Sequence, residues 1–157
     1  MSRFVADHLP DTLLARLSVE RAIENAARAI VIVTIDELGW AHPAMVSSLE
    51  LAARDARNIR LALHTRSRSL RNLRENGRLT VILADEQSVH YIKGDALVVS
   101  PTLSARTDFA KVNLRVDSVL EDVAADDEHA RITTGIRIER DAVDPAAARA
   151  LLDELIS

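Results

Sequence analysis

Seven consecutive residues, His64-Thr65-Arg66-Ser67-Arg68-Ser69-Leu70, bring hydroxyls, an imidazole and two guanidinium groups into one short stretch. The flanking pattern puts that stretch where a strand gives way to a helix. A helix start adds free backbone N–H groups and the positive end of its dipole. Positive charge, hydrogen-bond donors and an oriented dipole are the components of a phosphate site. The same residues also admit a purely structural reading, in which Ser67 or Ser69 caps the helix and the arginines stand in solvent.

The rest of the chain offers no self-contained catalytic motif. The five histidines (8, 42, 64, 90 and 129) show no spacing typical of metal ligands, and no metal site is expected. There is no cysteine, which excludes disulfides, thiolate zinc sites and cysteine nucleophiles. A phosphate-cradling glycine-rich loop and a Gly-x-Ser-x-Gly elbow are both missing, which disfavours a nucleotide triphosphatase or a hydrolase of those types.

Charge is segregated along the chain. Between Arg54 and Arg78 stand eight arginines against Asp55 and Glu75, an excess of six positive charges within a chain of net charge −4. From Asp117 onward eleven acids oppose four arginines. A pI near 5.7 and few aromatic side chains argue against nucleic-acid binding, although a local phosphate site needs only one or two arginines. The start of the sequence lacks an apolar signal core, and no run approaches the roughly 18 apolar residues of a membrane span. A soluble cytoplasmic domain without membrane or nucleic-acid partners is expected. With 157 residues, 48% of them hydrophobic, the chain suits one domain with a substantial core.

The elements that must position the stretch follow from periodicity. The first thirty residues read as helical, with Asp11 and Ser18 as helix starts. The β-branched run Ala29–Ile35 predicts a buried strand, and the turn Asp36-Glu37-Leu38-Gly39 leads to a second strand at Ala44–Ser47, forming a hairpin. Ser48 opens a predicted short helix through Ala56, ended by Asn58. A half-buried strand spans Ile59–His64, and residues 67–76 form a helix with Leu70 and Leu73 inward and Asn76-Gly77 as its stop. Strands follow at Leu79–Ala84, Gln87–Val99 with a bulge at Gly94, Lys111–Asp117 and Ala130–Arg140. Asp144 and Pro145 start a final helix through Ile156. The expected fold is mainly β with short helices: an antiparallel barrel of six or seven strands, closed or partly closed to limit exposed edges. It would be one domain over 1–157, with N-terminal helices in 1–28, the barrel in 29–140 and the C-terminal helix in 144–157.

The order of these elements resembles the pyridoxamine 5′-phosphate oxidase-like family of FMN-binding split barrels. The matching pieces are Gly39-Trp40-Ala41-His42-Pro43, the His64–Ser69 segment, Asn72 to Val81, and Tyr91-Ile92-Lys93-Gly94-Asp95-Ala96. The resemblance implies an FMN-binding oxidoreductase acting on an unidentified small molecule. It places the FMN phosphate against Thr65, Ser67, Arg68 and Ser69, and the isoalloxazine along the backbone of Val46 and Ser47. It also implies a homodimer with the flavin at the interface. The oxidases typically carry Ser-Arg-Lys at the phosphate, where this chain reads Ser67-Arg68-Ser69. They also place an Arg and a Lys on the preceding strand, and Met45-Val46-Ser47-Ser48-Leu49 supplies neither. The substrate-binding Arg and His that end those enzymes have no counterpart in the final helix. A true pyridoxamine 5′-phosphate oxidase is therefore not expected. The alternative is a non-catalytic split barrel that binds another anionic ligand (deazaflavin, haem or a phosphorylated metabolite) or none.

Overall fold

Period-two apolar runs dominate the chain, and they assemble into one antiparallel sheet in a computed structural model that describes residues 2–157, the Asp126 side chain apart. The strands are β1 (Arg3–Ala6), β2 (Ala29–Ile35), β3 (Ala41–Ser47), β4 (Leu51–Asp55), β5 (Asn58–His64), β6 (Arg78–Ala84), β7 (Ser88–Ser100) and β8 (Phe109–Val123). The helices are α1 (Asp11–Arg16), α2 (Val19–Glu24), α3 (Arg68–Asn76) and α4 (Pro145–Ile156). Seven strands follow the order β3-β2-β6-β7-β8-β5-β4, and β1 pairs with the far half of β8. The sheet is the curled half-barrel expected from the pattern.

The long central strands β7 and β8 carry the bend. Their register shifts between Lys93 and Gly94, where a Cβ on Gly94 would lie 1.9 Å from the Arg115 carbonyl oxygen. Only glycine permits that approach, as the sequence suggested. Inside the curl, Ile32, Leu61, Leu63, Val81, Ile92 and Leu114 pack with Leu70 and Leu73 of α3. A second apolar cluster lies on the back of β4 and β5, where Ala52 and Ala62 meet Leu151, Leu152 and Leu155 of α4 and Val19 of α2. Among the described residues, no helix is long and apolar enough to cross a membrane.

Four local expectations are corrected. Residues 3–6 form β1 rather than helix, because Phe4 pairs opposite Leu120 on the free half of β8. The helix expected from Ser48 is a single 3-10 turn over Ser48–Glu50, followed by β4; Leu51 and Ala52 are buried on opposite faces, one against each core. β5 is buried on both faces from Ile59 to Leu63, since α4 covers the side expected to face water. Residues 130–140 do not form a strand; they touch the sheet through an isolated Arg28–Arg137 bridge and bonds such as Ala29 N–H to the Ile136 carbonyl, 3.0 Å. The final helix keeps its predicted start, with Asp144 Oδ1 accepting the Ala146 N–H at 2.9 Å.

Candidate functional site

At the strand-to-helix junction, β5 ends on His64 and α3 begins at Arg68. Ser67 is the N-cap, its Oγ accepting the Leu70 N–H at 3.1 Å, while its own N–H donates to the His64 carbonyl at 2.9 Å. The Arg66 N–H donates to His64 Nδ1 at 3.1 Å, so the neutral imidazole carries its proton on Nε2. The helix is locked from its far side. Asn72 Nδ2 donates to Thr34 Oγ1 at 2.9 Å inside the core, Asn76 Nδ2 donates to the Ile35 carbonyl, and Gly77 caps the C-terminus at φ 68°.

That anchoring leaves the start of α3 free. The backbone N–H groups of Arg68 and Ser69 have no acceptor among the described residues. The side chains of Arg66 and Arg68 are exposed and form no ion pair among the described residues, whereas Arg71 reaches Glu37 at 3.6 Å. The Ser69 residue is buried to within 3%. It lines a cleft of about 220 Å³ between β3 and the start of α3, together with Ala44, Val46, Glu50, His64 and Ser67.

Of the six residues expected at a cofactor, the structure thus gathers Val46, Ser67 and Ser69 at one cleft; Arg68, between the two serines in sequence, is exposed and is not among its lining residues. Thr65 and Ser47 are not among the residues lining this cleft, and their backbone N–H groups are engaged by Asp108 and Glu50. Thr65 donates its N–H to the Asp108 carbonyl at 2.9 Å, tying the junction to the loop before β8. Arg106 bonds to the Asp108 carboxylate at 3.1 Å, which holds that carboxyl below its ordinary range, and lies 4.4 Å over the Phe109 ring. Phe109 in turn meets His64 edge-on at 5.5 Å. Ser47 is a capping residue for the 3-10 turn. Its Oγ accepts from Leu49 N–H and Arg140 Nη2, and its N–H donates to Glu50 Oε2 at 2.8 Å.

Glu50 is the residue that sequence reasoning missed. It lines the cleft, and the signal was legible: Ser47-x-x-Glu50 has the spacing of a capping box. A larger depression of about 530 Å³ lies on the outer face of the sheet among Val33, Thr80, Lys93 and Asp117, away from every expected site residue.

Comparison with known proteins supports the architecture. No family model matches the chain. The chain is 29% identical over 131 residues, 83% of each sequence, to the uncharacterized protein YclD of Bacillus subtilis. Its fold is similar to that of a candidate pyridoxamine 5′-phosphate oxidase of Lactobacillus delbrueckii, with a TM-score of 0.57, 15% identity, and coverage of 76% of this chain and 98% of that one. A pyridoxamine 5′-phosphate oxidase-related, FMN-binding protein of Nostoc punctiforme matches at a TM-score of 0.51 and 11% identity, over 66% of this chain and 80% of that one. The fold is the split barrel of the pyridoxamine 5′-phosphate oxidase-like proteins.

Proposed function

We propose that the cleft at the start of α3 binds FMN and that the protein is a flavin-dependent oxidoreductase of a small molecule. One observation carries this reading: β3 and α3 bring Val46, Ser67 and Ser69 to one cleft beside two unused N–H groups and two unpaired arginines. The donor set fits a phosphate monoester. Arg68 and Arg66 supply charge, Ser69 Oγ and the Arg68 and Ser69 N–H groups supply donors, and the helix dipole points the same way. His64 adds an Nε2–H donor. β3 is the edge of the sheet, which is why Pro43 is tolerated in it, and its free side lies beside the cleft. The flavin, when bound, supplies the electron-transfer chemistry; the protein orients it and excludes water.

Ser47 contributes position rather than a hydrogen bond, since Glu50 already takes its N–H. Glu50 on the cleft wall, together with Ser69 in place of a lysine, weakens the case for FMN and leaves a second reading: a non-catalytic protein that binds another anionic ligand (a deazaflavin, haem or a phosphorylated metabolite) or none. Visible spectra and equilibrium dialysis with FMN separate the two. Saturable binding of one FMN per chain with a flavin spectrum supports the first reading; no binding at 100 μM removes it.

A homodimer belongs to the same proposal. On the outer face of the sheet, Met45, Val31, Ile82, Tyr91, Leu120 and Phe4 stand opposite one another across six strands. Met45 and Phe4, at the two ends of this rung, are 64% and 65% exposed. A two-fold pairing would cover the rung with its own copy. Sedimentation at micromolar concentration is expected to give about twice 17.3 kDa; a species of 17.3 kDa overturns the dimer.

A further inference from the structure

We propose that Arg60 and Lys111 form a second anion site, for a phosphate-type oxyanion, on the back of the sheet beside the C-terminal turn of α4. The site is independent of the cleft at α3. Register brings the two cations together. Ala62 pairs with Lys111 and Arg60 with Asn113, so Arg60 and Lys111 are diagonal neighbours on one face of β5 and β8. The opposite face of these strands carries Ile59, Leu61, Val112 and Leu114 into the core of the curl. On the cations' own face, α4 packs over Ala52 and Ala62.

The result is an enclosed pair with no carboxylate bonded to it among the described residues, although Asp55 and Glu154 act on it at longer range. Arg60 is 6% exposed and Lys111 9%. Arg60 is the one buried arginine of the eight between residues 54 and 78. Its Nε and Nη1 are sealed from solvent with no hydrogen-bond partner, and it forms no ion pair among the described residues. Lys111 Nζ donates to Ser157 Oγ at 3.2 Å, a neutral acceptor. Arg54 lies within electrostatic reach and adds a third positive charge.

The nearby acids are engaged elsewhere. Asp55 Oδ1 accepts the Arg57 N–H and the Asn58 amide at 2.8 and 2.9 Å. Glu154 accepts the Ser104 and Ala105 N–H groups at 2.6 and 2.8 Å. A guanidinium cannot shed its proton to escape burial, so it needs an anion. Opposite Arg60, Asn113 Oδ1 is likewise buried without a partner. Hydrogen phosphate answers both needs: its oxygens accept from Arg60 and Lys111, and its O–H can donate to Asn113 Oδ1. Arg60 Nη2, the guanidinium nitrogen that is not sealed, marks the way in.

The test uses the full chain at pH 7, with inorganic phosphate replaced by chloride at constant ionic strength. Calorimetric titration is expected to show one phosphate bound per chain, and phosphate at ten times its dissociation constant to raise Tm by about 3 °C. Both effects persist in Arg68→Ala, which disables the α3 cleft, and both vanish in Arg60→Met. Without phosphate, Arg60→Met is expected to melt at or above the wild-type temperature, because it removes an unpaired buried charge and keeps the stem. Lys111→Met weakens phosphate binding at least tenfold, and it carries the test alone should Arg60→Met not fold. The proposal is overturned if chloride acts like phosphate, if Arg68→Ala abolishes binding, or if the folded Arg60 and Lys111 variants bind as the wild type does. It is equally overturned if phosphate has no effect while Arg60→Met dissociates a dimer, since the counter-charge is then a carboxylate of a second copy.

Discussion

Arg60 and Arg68 are eight residues apart in the same basic run, yet they end in opposite environments. Arg68 stands in water on the first turn of α3, while Arg60 is enclosed under α4 with two nitrogens unpaired. An exposed guanidinium costs the fold little and is free to meet a ligand, so its loss should change affinity and spare stability. An enclosed one burdens the fold until an anion meets it, so its loss should change how stability depends on the solution. Charge density along the sequence is the same in both places; the strand pairing and the covering helix make the difference.

The largest effect separates the two regions by removing the cover from one of them. Leu152 is fully buried between α4 and the back of the sheet. Leu152→Ala is expected to destabilise the protein by about 2–5 kcal/mol, as lost apolar burial and a residual cavity add together. FMN affinity, measured on the folded variant, should stay within a factor of two. A parallel loss of affinity in chemical denaturation and binding assays would show that the regions are coupled through β5.

Next in size is the cleft itself. Arg68→Ala is expected to weaken FMN binding about tenfold to a hundredfold, the value of one charge-assisted hydrogen bond of roughly 1.5–3 kcal/mol. Melting without ligand should barely move. Arg74, exposed on the same helix and without an ion pair, is the control; Arg74→Ala should leave affinity unchanged. Equal losses in both variants would mean diffuse electrostatics. A loss confined to Arg66→Ala would place the phosphate two residues earlier, before the helix begins.

The comparison also shows what sequence could and could not disclose. The start of α3 was legible because its signals are local: Ser67 as cap, Leu70 and Leu73 at helical spacing, Asn76-Gly77 as stop. The bulge at Gly94 was legible for the same reason. The enclosure of Arg60 was not, because alternating Ile59, Arg60, Leu61, Ala62 and Leu63 looks like a strand with one wet face. Only α4, nearly a hundred residues later, dries that face. The false helix after Ser48 has a related cause. Leu49, Leu51 and Ala52 fit a helical stripe as well as a strand buried on both sides, and a short apolar run cannot be resolved by period alone. Residues 130–140 failed in the other direction, since Ile132, Ile136 and Ile138 alternate like a strand but make only scattered bonds to the sheet.

Smaller again is the contribution of the cap at the cleft. Ser67→Ala removes the acceptor of the Leu70 N–H and should cost about 1 kcal/mol. Because it also frees one more N–H at the helix start, FMN affinity should fall by less than in Arg68→Ala. Denaturant unfolding and FMN titration of the same variant measure the two effects side by side. A larger drop in affinity than in Arg68→Ala would make the hydroxyl, not the guanidinium, the main phosphate ligand.

The smallest effect concerns a third buried base, which has the freedom that Arg60 lacks. His90 on β7 is buried, its Nδ1 has no partner, and its Nε2 lies 3.4 Å from Glu121 Oε1. Burial pushes the imidazole below its ordinary value, an effect that the Glu121 charge only partly offsets. In the unfolded chain His90 takes up a proton near pH 6.5, whereas in the fold it does so at lower pH. Between those values the unfolded state holds the extra proton, so stability rises with pH up to about 6.5 and is lost as pH falls below it. Glu121 acts in the same direction at lower pH. Arg3, bonded to it at 2.7 Å, lowers its carboxyl, so its contribution is present above the ordinary carboxylate value of about 4.3 and disappears on further acidification. Melting curves from pH 7.5 down to pH 3 should therefore decline in two stages. His90→Leu should flatten the first stage and leave the second, since Arg3 still holds Glu121. If His90→Leu leaves the decline between pH 6.5 and 5 unchanged, the imidazole takes up its proton at the same pH in the fold as in the unfolded chain, and its pairing with Glu121 balances its loss of water.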